Sequence, residues 1–599
     1  MTTTRAASDT TKTDLVRVAS LEELRAQGHI VLAAGGRTIA IFYDDSQDDP
    51  AVTDEGRVHA VDNRCPHMGF PLSRGTVRDG ILTCHWHHAK FDLAGGCTFD
   101  PFADDVAAFR TELRDGEVVL DPQPVEEDRL QHWNRKLEEG LEQNIRLVMA
   151  KSVIGLSELG ATGTILERAA RFGVRNRASG WADGLSILTA VANVQDVLAP
   201  EDRPRALFHG VVNVARNVAG QAPDFDLAPL DTSETRPEVY RAWFRRFIET
   251  RSASAAERCL RTAAEVGLSP QQLADMLFAA STDHLFMDDG HALDFANKAC
   301  ELLDQIGWDH AGEILPSLID GLAFAERMEE TSSWQHPVDL PRLIADADAA
   351  LTEALAQGQE RLTDWDGHRA LAESILDDEP DVALRGIVEA ARDGVPLIEL
   401  SATVAYAAAR RPVHFHISNE FGDWNTIHHT FTYTNAVDQA LRRAPSRELA
   451  RGILDGAASV YLERFLNVPK QPLPSPNGAH PDGAGSMAVL EEFDRQQRVD
   501  ETAQVVADLV AAGRQDEVIH TLGHALLRED AGFHQFQIYE AGLRQYRNFE
   551  GRVEADHILI GVARFLTAHA PTVRAVGQTF DIAARLHRGE ALFDEVDAE

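Results

Sequence analysis

Apolar and polar positions change their spacing once along the chain, close to residue 123. Between residues 14 and 123 the apolar residues form short runs, such as HIVLAA, TIAIFY and GEVVLD, separated by Gly- and Asp-rich turns. Such runs are typical of antiparallel strands. From about residue 130 onward apolar residues recur every three or four positions, as in LADMLFAASTDHL, which predicts helices nearly throughout. The fold class we predict is a small antiparallel β domain followed by a large, mostly α-helical region.

The helical region shows weak internal similarity. LSELGAT (156–162) aligns with LIELSAT (397–403), and GWADGLSILTAVANVQDVL (180–198) aligns with DWNTIHHTFTYTNAVDQAL (423–441), at offsets of 241 and 243 residues. Matches that keep the same order at nearly the same offset predict two copies of one helical unit. The alternative is that two Ala-rich helical regions look alike through composition alone. We therefore predict a β domain at 14–123, a linker helix at 124–144, a first helical unit at 145–340, a helical connector at 341–384 and a second unit at 385–585.

Charge and composition exclude several classes of partner. The 599 residues carry a formal net charge of −38, which argues against nucleic acid or an anionic membrane as the partner. The first residues lack the apolar core of a secretory signal, and no run of about 20 apolar residues could span a bilayer. Five unevenly spaced cysteines do not form a disulfide framework. We expect a cytoplasmic protein, in which clustered Cys and His residues indicate metal binding.

The densest such cluster is CPHMGFPLSRGTVRDGILTCHWHHAKFD, residues 65–92. Its two loops have the patterns Cys65-x-His67 and Cys84-x-x-His87, so each loop offers one thiolate and one imidazole. This set suits a [2Fe–2S] centre in which one iron takes both sulfurs and the other takes both nitrogens. A structural zinc site is the alternative, although zinc fingers usually pair two cysteines in one loop and two histidines on a helix.

The two loops resemble those of the Rieske family, and the resemblance extends over residues 14–123, including the turn at Gly95 and Gly96. It implies that Cys65, His67, Cys84 and His87 bind a [2Fe–2S] cluster. High-potential members carry an additional cysteine pair and nearby Ser and Tyr donors. The corresponding positions here are Phe70, Trp86, Ala89 and Phe91. Fewer hydrogen bonds to a cluster lower its reduction potential, so we expect a potential below the respiratory type.

A second group of candidate ligands lies in the helical region. His284, Asp288 and His291 fall at positions i, i+4 and i+7, which predicts two imidazoles and one carboxylate on one helix face. Two histidines and one carboxylate are the ligands of many non-haem iron sites. His428 lies in the other His-rich segment, HFHISNEFGDWNTIHHTFTY, and His534 lies in LREDAGFHQFQIYEAG, the segment that matches this one in the second copy. A metal-free polar pocket and ordinary packing are the alternatives.

The segments ALFHGVVNVARNV, TIHHTFTYTNAVDQAL and GHALDFANKACELL resemble helices of the questin-oxidase-like family. That family includes oxygenases that perform Baeyer–Villiger-type cleavage of aromatic polyketide quinones. The resemblance implies that His209, His291, His428 and His534 line a pocket. The candidate catalytic residues are therefore His284, Asp288, His291, His428 and His534, with a second non-haem iron as a candidate cofactor.

These observations lead to two functional hypotheses. In the first, the chain is an oxidoreductase whose cluster relays electrons to O₂-dependent, monooxygenase-like chemistry on a small organic substrate, aromatic or polyketide-type, in the helical region. No G-x-G-x-x-G fingerprint follows a strand, so a separate NAD(P)H-dependent reductase would supply the electrons. In the second, the chain is a non-enzymatic Rieske ferredoxin-type module fused to a helical docking scaffold. Neither hypothesis involves nucleic acid or a membrane.

Overall fold

The computed structural model describes residues 15–46, 52–125, 128–176, 180–357, 365–478, 485–590 and 592. The predicted fold class is confirmed, because antiparallel strands come first and helices follow. Contacts divide the chain into two compact units, Met1–Gly160 with Thr579–Glu599, and Ala161–Gln578. Parts of the predicted linker (126–127) and connector (358–364) lie outside the described residues. The division of the helical region into two copies stays a prediction.

The first unit contains the β region. Its strands are, in chain order, β1 (Val16–Ser20), β2 (His29–Ala34), β3 (Arg37–Tyr43), β4 (Val58–Asp62), β5 (Thr76–Arg78), β6 (Ile81–Thr83), β7 (Lys90–Asp92), β8 (Ala108–Arg114) and β9 (Glu117–Pro124). They form a six-stranded sheet in the order β1-β9-β8-β4-β3-β2 and a three-stranded sheet in the order β5-β6-β7. Neighbouring strands pair antiparallel in both sheets.

Alternating side chains of β3 are buried on both faces of the larger sheet. Ile39 and Ile41 pack into one apolar cluster. Ala40 and Phe42 belong to a second cluster, which also contains Leu82 of β6 and Phe91 of β7. Because side chains alternate across a strand, β3 contributes to two cores at once. The second core includes Cys65 and Cys84, so the two predicted thiolate ligands are anchored where the two sheets meet.

Two helices after the strands complete the first unit, together with the end of the C-terminal helix. They are α2 (Arg129–Glu142), α3 (Arg146–Glu158) and, from Thr579 onward, α25 (Ala575–His587). At the contact of α2 with α3, a Cβ on Gly155 would lie 2.3 Å from the Trp133 ring, so the two helices approach closely there. Arg64, next to Cys65, donates a hydrogen bond of 3.1 Å to the carbonyl of Leu586 in α25.

The regular elements in the described part of the second unit are helices, and residues 221–236 form its longest described segment between two helices. The helices of the chain besides those already given are α1 (Leu21–Gln27), α4 (Thr162–Arg175), α5 (Asp183–Asn193), α6 (Asp202–Asn217), α7 (Pro237–Glu249), α8 (Ala253–Glu265), α9 (Pro270–Ser281), α10 (His291–Ile306), α11 (Ala311–Ile314), α12 (Ile319–Ala323), α13 (Ser332–Gln335), α14 (Leu340–Gln357), α15 (His368–Asp377), α16 (Pro380–Arg392), α17 (Leu397–His414), α18 (Phe421–Arg443), α19 (Arg447–Glu463), α20 (Gly485–Phe493), α21 (Val499–Ala511), α22 (Gln515–Arg528), α23 (Phe533–Asn548) and α24 (Val553–Ala568). Of these, α1 belongs to the first unit.

Four of these helices, α5, α10, α18 and α23, pack together in the interior. Both α5 and α18 contact α10 and α23. Buried polar contacts join α10 to α23: Gln537 donates a hydrogen bond of 2.6 Å to Asp294, and Lys298 forms an ion pair of 2.6 Å with Glu540. Both helices begin with a histidine in their first turn, next to α18.

No helix in the described part of the chain is long and apolar enough to cross a lipid bilayer.

The turn after β7 gives a testable prediction for the stability of the β region. Gly96 has φ +79°, and an added Cβ would lie 2.0 Å from the carbonyl oxygen of Val106. Gly116, in the β8–β9 turn, has φ +82° with no atom within 4 Å of an added Cβ. We expect Gly116→Ala to cost only the backbone strain, about 1–2 kcal/mol. Gly96→Ala should cost about 1–3 kcal/mol more because the backbone of residue 106 must move.

For each variant, the denaturant midpoint of the β region is measured by hydrogen exchange of the β6 and β7 amides. Equal midpoints for the two variants would contradict the close approach at Gly96.

Candidate functional site

The two predicted ligand loops of the first unit share one backbone geometry. The Cys65 N–H donates to the carbonyl of Phe70 at 2.8 Å, and the Gly69 N–H donates back to the Cys65 carbonyl at 2.7 Å. In the other loop, the Cys84 N–H donates to the carbonyl of Ala89 at 2.9 Å, and the His88 N–H donates to the Cys84 carbonyl at 3.0 Å. Each loop is thus a tight turn with the same two backbone hydrogen bonds, and its histidine follows the cysteine by two residues in the first loop and by three in the second.

Backbone N–H groups in each turn point at the cysteine sulfur. Cys65 accepts from the N–H groups of His67 and Met68, and Cys84 accepts from those of Trp86 and His87. Both thiols are buried and hydrogen-bond to each other. This contact raises the pKa of Cys65 and lowers that of Cys84 to about 6. Backbone donors stabilise negative charge on sulfur, so the turns are suited to holding thiolates.

The two imidazoles lie beside the thiols. The rings of His67 and His87 are 4.7 Å apart and nearly perpendicular. Burial lowers the pKa of His67 to about 4, so its ring is neutral at neutral pH. Its Nδ1 is buried and has no hydrogen-bond partner. Two thiols, two imidazoles and an unpartnered ring nitrogen fit a [2Fe–2S] centre with one iron on each ligand type.

Other residues that the sequence singled out lie around this set. The rings of Phe70 and Trp86 are 6.0 Å apart, at the two positions where the additional cysteine pair is missing. Ala89 and Phe91 are fully buried in the apolar core and offer no side-chain donor. The His85 ring turns to the hydroxyl of Thr76, 2.6 Å away. His88 is exposed and takes φ +62°, the left-handed position that Gly69 takes in the first loop.

Comparison with known proteins agrees with this geometry. The family profile of the Rieske [2Fe–2S] domain matches residues 14–110. Those residues therefore form a Rieske [2Fe–2S] domain, and a [2Fe–2S] cluster is its cofactor. Because such clusters carry single electrons, electron transfer is a role of this domain.

The similarity to individual proteins covers only a small part of the chain. The chain is 44% identical over 63 residues to a 4beta-methylsterol monooxygenase of Methylococcus capsulatus, a match that covers 10% of this chain and 15% of that protein. It is 33% identical over 75 residues to the ferredoxin component of the alkene monooxygenase system of Xanthobacter autotrophicus, covering 12% and 62%. Among solved structures, the ferredoxin of carbazole 1,9a-dioxygenase from Nocardioides aromaticivorans matches with 22% identity and a TM-score of 0.16, covering 18% of this chain and 98% of that one. The chain thus spans less than two thirds of either curated relative.

In the helical unit, the structure does not place His284, Asp288 and His291 on one helix face, and that prediction is wrong. Helix α9 ends at Ser281 and α10 begins at His291. Between them Phe286, Asp288 and Asp289 have positive φ values of 41°, 53° and 52°. Left-handed residues cannot continue a right-handed helix, so the apolar spacing runs through a turn here.

His284 and Asp288 therefore have other roles in the structure. Nδ1 of His284 lies 2.5 Å from the carboxylate of Glu329, and Nε2 lies 2.5 Å from that of Glu249. The hydrogen bond to Glu329 raises the pKa of His284. The Asp288 carbonyl accepts a hydrogen bond of 2.8 Å from Nδ1 of His291. This bond leaves Nε2 of His291 free to act as a ligand.

Three histidines from three helices do converge. His291 of α10, His429 of α18 and His534 of α23 each offer a ring nitrogen, and the three nitrogens lie within 4.8 Å of one another. The Nε2 atoms of His429 and His534 are 3.0 Å apart. All three side chains are half-buried. We call this set the histidine centre; it includes His291 and His534 of the predicted residues and adds His429.

Two further histidines border the histidine centre. His428 is fully buried, its ring centroid lies 5.0 Å from that of His534, and neither of its ring nitrogens has a hydrogen-bond partner. His569 donates from Nδ1 to the carbonyl of Phe565 at 2.8 Å, while its buried Nε2 has no partner. His209, by contrast, bonds the carbonyl of Leu527 at 3.2 Å and packs on Phe536. Each unpartnered buried nitrogen costs about 1–3 kcal/mol, so a group that bonds His428 would remove that cost.

The electrostatics favour neutral imidazoles. Burial, and then the neighbouring His291, lowers the pKa of His429 to about 3 and that of His534 to about 4. Neutral imidazole is the form that binds metal ions.

Asp294 lies one turn after His291, is 1% exposed and has one carboxylate oxygen without a partner. Burial raises the pKa of Asp294 to about 6. The histidine centre can thus hold a transition-metal ion with a carboxyl group close by.

The cysteines give a testable prediction for the cluster. Cys84→Ser should remove the visible absorption of the cluster together with its iron and acid-labile sulfide, because serine is a poor ligand for an iron–sulfur cluster. Cys97, exposed after β7, is the matched control, and Cys97→Ser should leave all three unchanged. Retention of the cluster by Cys84→Ser, or its loss from Cys97→Ser, would contradict the ligand assignment.

Proposed function

We propose that the protein is an oxidoreductase in which the Rieske cluster supplies electrons to a metal ion bound by His291, His429 and His534. The metal ion would support O₂-dependent, monooxygenase-like chemistry on a small organic substrate. The observation that carries this proposal is the convergence of three imidazoles from α10, α18 and α23. The same chain also contains a domain whose cofactor carries single electrons.

The chemistry of the ligands favours a redox-active ion. Imidazole suits iron, copper, nickel and zinc, and an electron donor is of use only to the redox-active members of this group. We therefore propose iron. His428 is positioned to complete the coordination or to contact the substrate, since both of its ring nitrogens lack a partner. Two of the relatives carry monooxygenase in their names, as an enzyme in one case and as the ferredoxin component of a monooxygenase system in the other.

A cavity near His428 and His569, which border the histidine centre, supports the substrate part of the proposal. It has a volume of about 450 Å³, and its walls include Phe421, Trp424, Val499 and Ala568 together with the amides of Asn419 and Gln497. Trp424 precedes His428 by one turn of α18, and the Phe421 ring lies 5.3 Å from that of His569. Pockets of this size with apolar walls and a few polar groups bind small organic molecules. Aromatic walls favour a flat, aromatic or polyketide-type substrate.

The electrons would come from a separate protein. The sequence contains no dinucleotide-binding fingerprint after a strand, so we propose an NAD(P)H-dependent reductase as the donor. The exposed side of the cluster loops, with Trp86 39% exposed, gives such a donor access to the ligand His87.

His429 provides the test. In His429→Ala we expect loss of the iron that exceeds the cluster content, and a fall of about 100-fold or more in reductase-dependent O₂ uptake. The spectrum of the reduced Rieske cluster should not change, because its ligands belong to the other unit. His520, exposed on α22, is the matched control, and His520→Ala should keep both the iron and the O₂ uptake.

Wild-type protein that contains only cluster iron and consumes no O₂ with a reductase and an aromatic substrate would contradict the proposal. That result would favour the ferredoxin-type module with a helical docking scaffold.

A further inference from the structure

A buried lysine from outside the matched Rieske region reaches the first cluster loop. Lys151 lies on α3, beyond residues 14–110, and is 6% exposed. Its ammonium group donates a hydrogen bond to the carbonyl of Pro66. Pro66 stands between the ligands Cys65 and His67, so a positive charge is placed directly behind the ligand loop.

The surroundings of Lys151 make its charge effective. It borders a cavity of about 160 Å³ that is also lined by Cys65, Pro66 and Asp104. Lys151 interacts electrostatically with both ligands of this loop, Cys65 and His67. Burial lowers the pKa of Lys151, while the nearby Asp104 and Cys65 act against this fall. Charges that are shielded from water are screened weakly, so these interactions extend to the cluster.

Asp104 is the opposing charge at the same cavity. Its carboxylate accepts a hydrogen bond of 3.0 Å from His132 of α2 and one of 2.8 Å from the Asp105 N–H. Lys151 is close enough to Asp104 to act on it electrostatically. Charged groups at the cavity also include Arg37, Asp62, Arg64 and Asp105. Among them, Lys151 and Asp104 are two groups whose effects on the cluster have opposite signs.

A cluster held by two thiolates and two neutral imidazoles gains one negative charge when it is reduced. A neighbouring positive charge stabilises the reduced form more than the oxidised form, and a negative charge does the reverse. The apolar positions Ala89 and Phe91 offer no side-chain hydrogen bond that would serve the same purpose.

We propose that Lys151 raises the reduction potential of the Rieske cluster and that Asp104 lowers it. Helix α3 thereby sets the driving force with which the cluster passes on its electron. Lys151 contacts no substrate in this proposal. Its role is to place a positive charge next to the cluster. The proposal rests on the Rieske assignment and does not depend on the histidine centre.

The test is a redox titration of the full-length protein at neutral pH, followed by the spectrum of the reduced cluster. Lys151→Met, which keeps the length and removes the charge, should weaken the cluster's affinity for the electron by about tenfold, or ~59 mV for a one-electron couple. Lys151→Arg, which keeps the charge, should stay close to the wild-type midpoint. Asp104→Asn, which can still accept from His132, should shift the midpoint upward.

Opposite shifts for Lys151→Met and Asp104→Asn, with unchanged spectra, support the proposal. Shifts of the same sign, or an unchanged midpoint in a cluster-loaded Lys151→Met variant, overturn it, because a purely structural disturbance would not follow the sign of the charge. If Lys151→Met fails to assemble the cluster, Asp104→Asn decides alone, and an unchanged or lowered midpoint in that variant overturns the proposal.

Discussion

The ion pair between Lys298 of α10 and Glu540 of α23 is the interaction on which the geometry of the helical unit depends. Both side chains are almost completely buried; Lys298 also donates to Glu301, and Glu540 also accepts from Asn193 and Arg544. Removing one partner of such a pair leaves an uncompensated buried charge, which costs about 3–5 kcal/mol. The pair fixes α10 beside α23, and the first turns of these two helices carry His291 and His534. Together with the hydrogen bond from Gln537 to Asp294, the pair links the two helices that supply His291 and His534 to the histidine centre.

In the Rieske domain, by contrast, the four residues that fit the cluster come from one short stretch of chain, residues 65–87. Cys65 and Cys84 are anchored in the apolar core between the two sheets, and each tight turn then places one imidazole beside its thiolate. The chain after the strands adds α2 and α3 to this unit, and with them Lys151 and His132. These helices thus place a buried lysine and a buried histidine next to the Rieske domain, close to the cluster loops.

The β region and the two Cys/His loops of the Rieske domain were predictable from the sequence because the determining contacts are local. Cys65-x-His67 and Cys84-x-x-His87 each lie within one loop, so their spacing alone restricts the chemistry. The histidine centre gave no such signal, since more than a hundred residues separate His291 from His429 and His429 from His534. His284 and Asp288 were misplaced because apolar spacing continues through a left-handed turn at residues 286–290. Periodicity does not show that Gly290 and two aspartates interrupt the helix.

The central claim, that cluster electrons reach a metal ion in the histidine centre, is tested most directly by single-turnover kinetics. The cluster is reduced stoichiometrically, mixed with O₂ in the presence of an aromatic substrate, and its reoxidation is followed by visible absorption. We expect rapid reoxidation in the wild type and reoxidation slowed by about 100-fold or more in His429→Ala, whose cluster is intact. Equal rates in the two proteins would show that the electrons leave the cluster by another route.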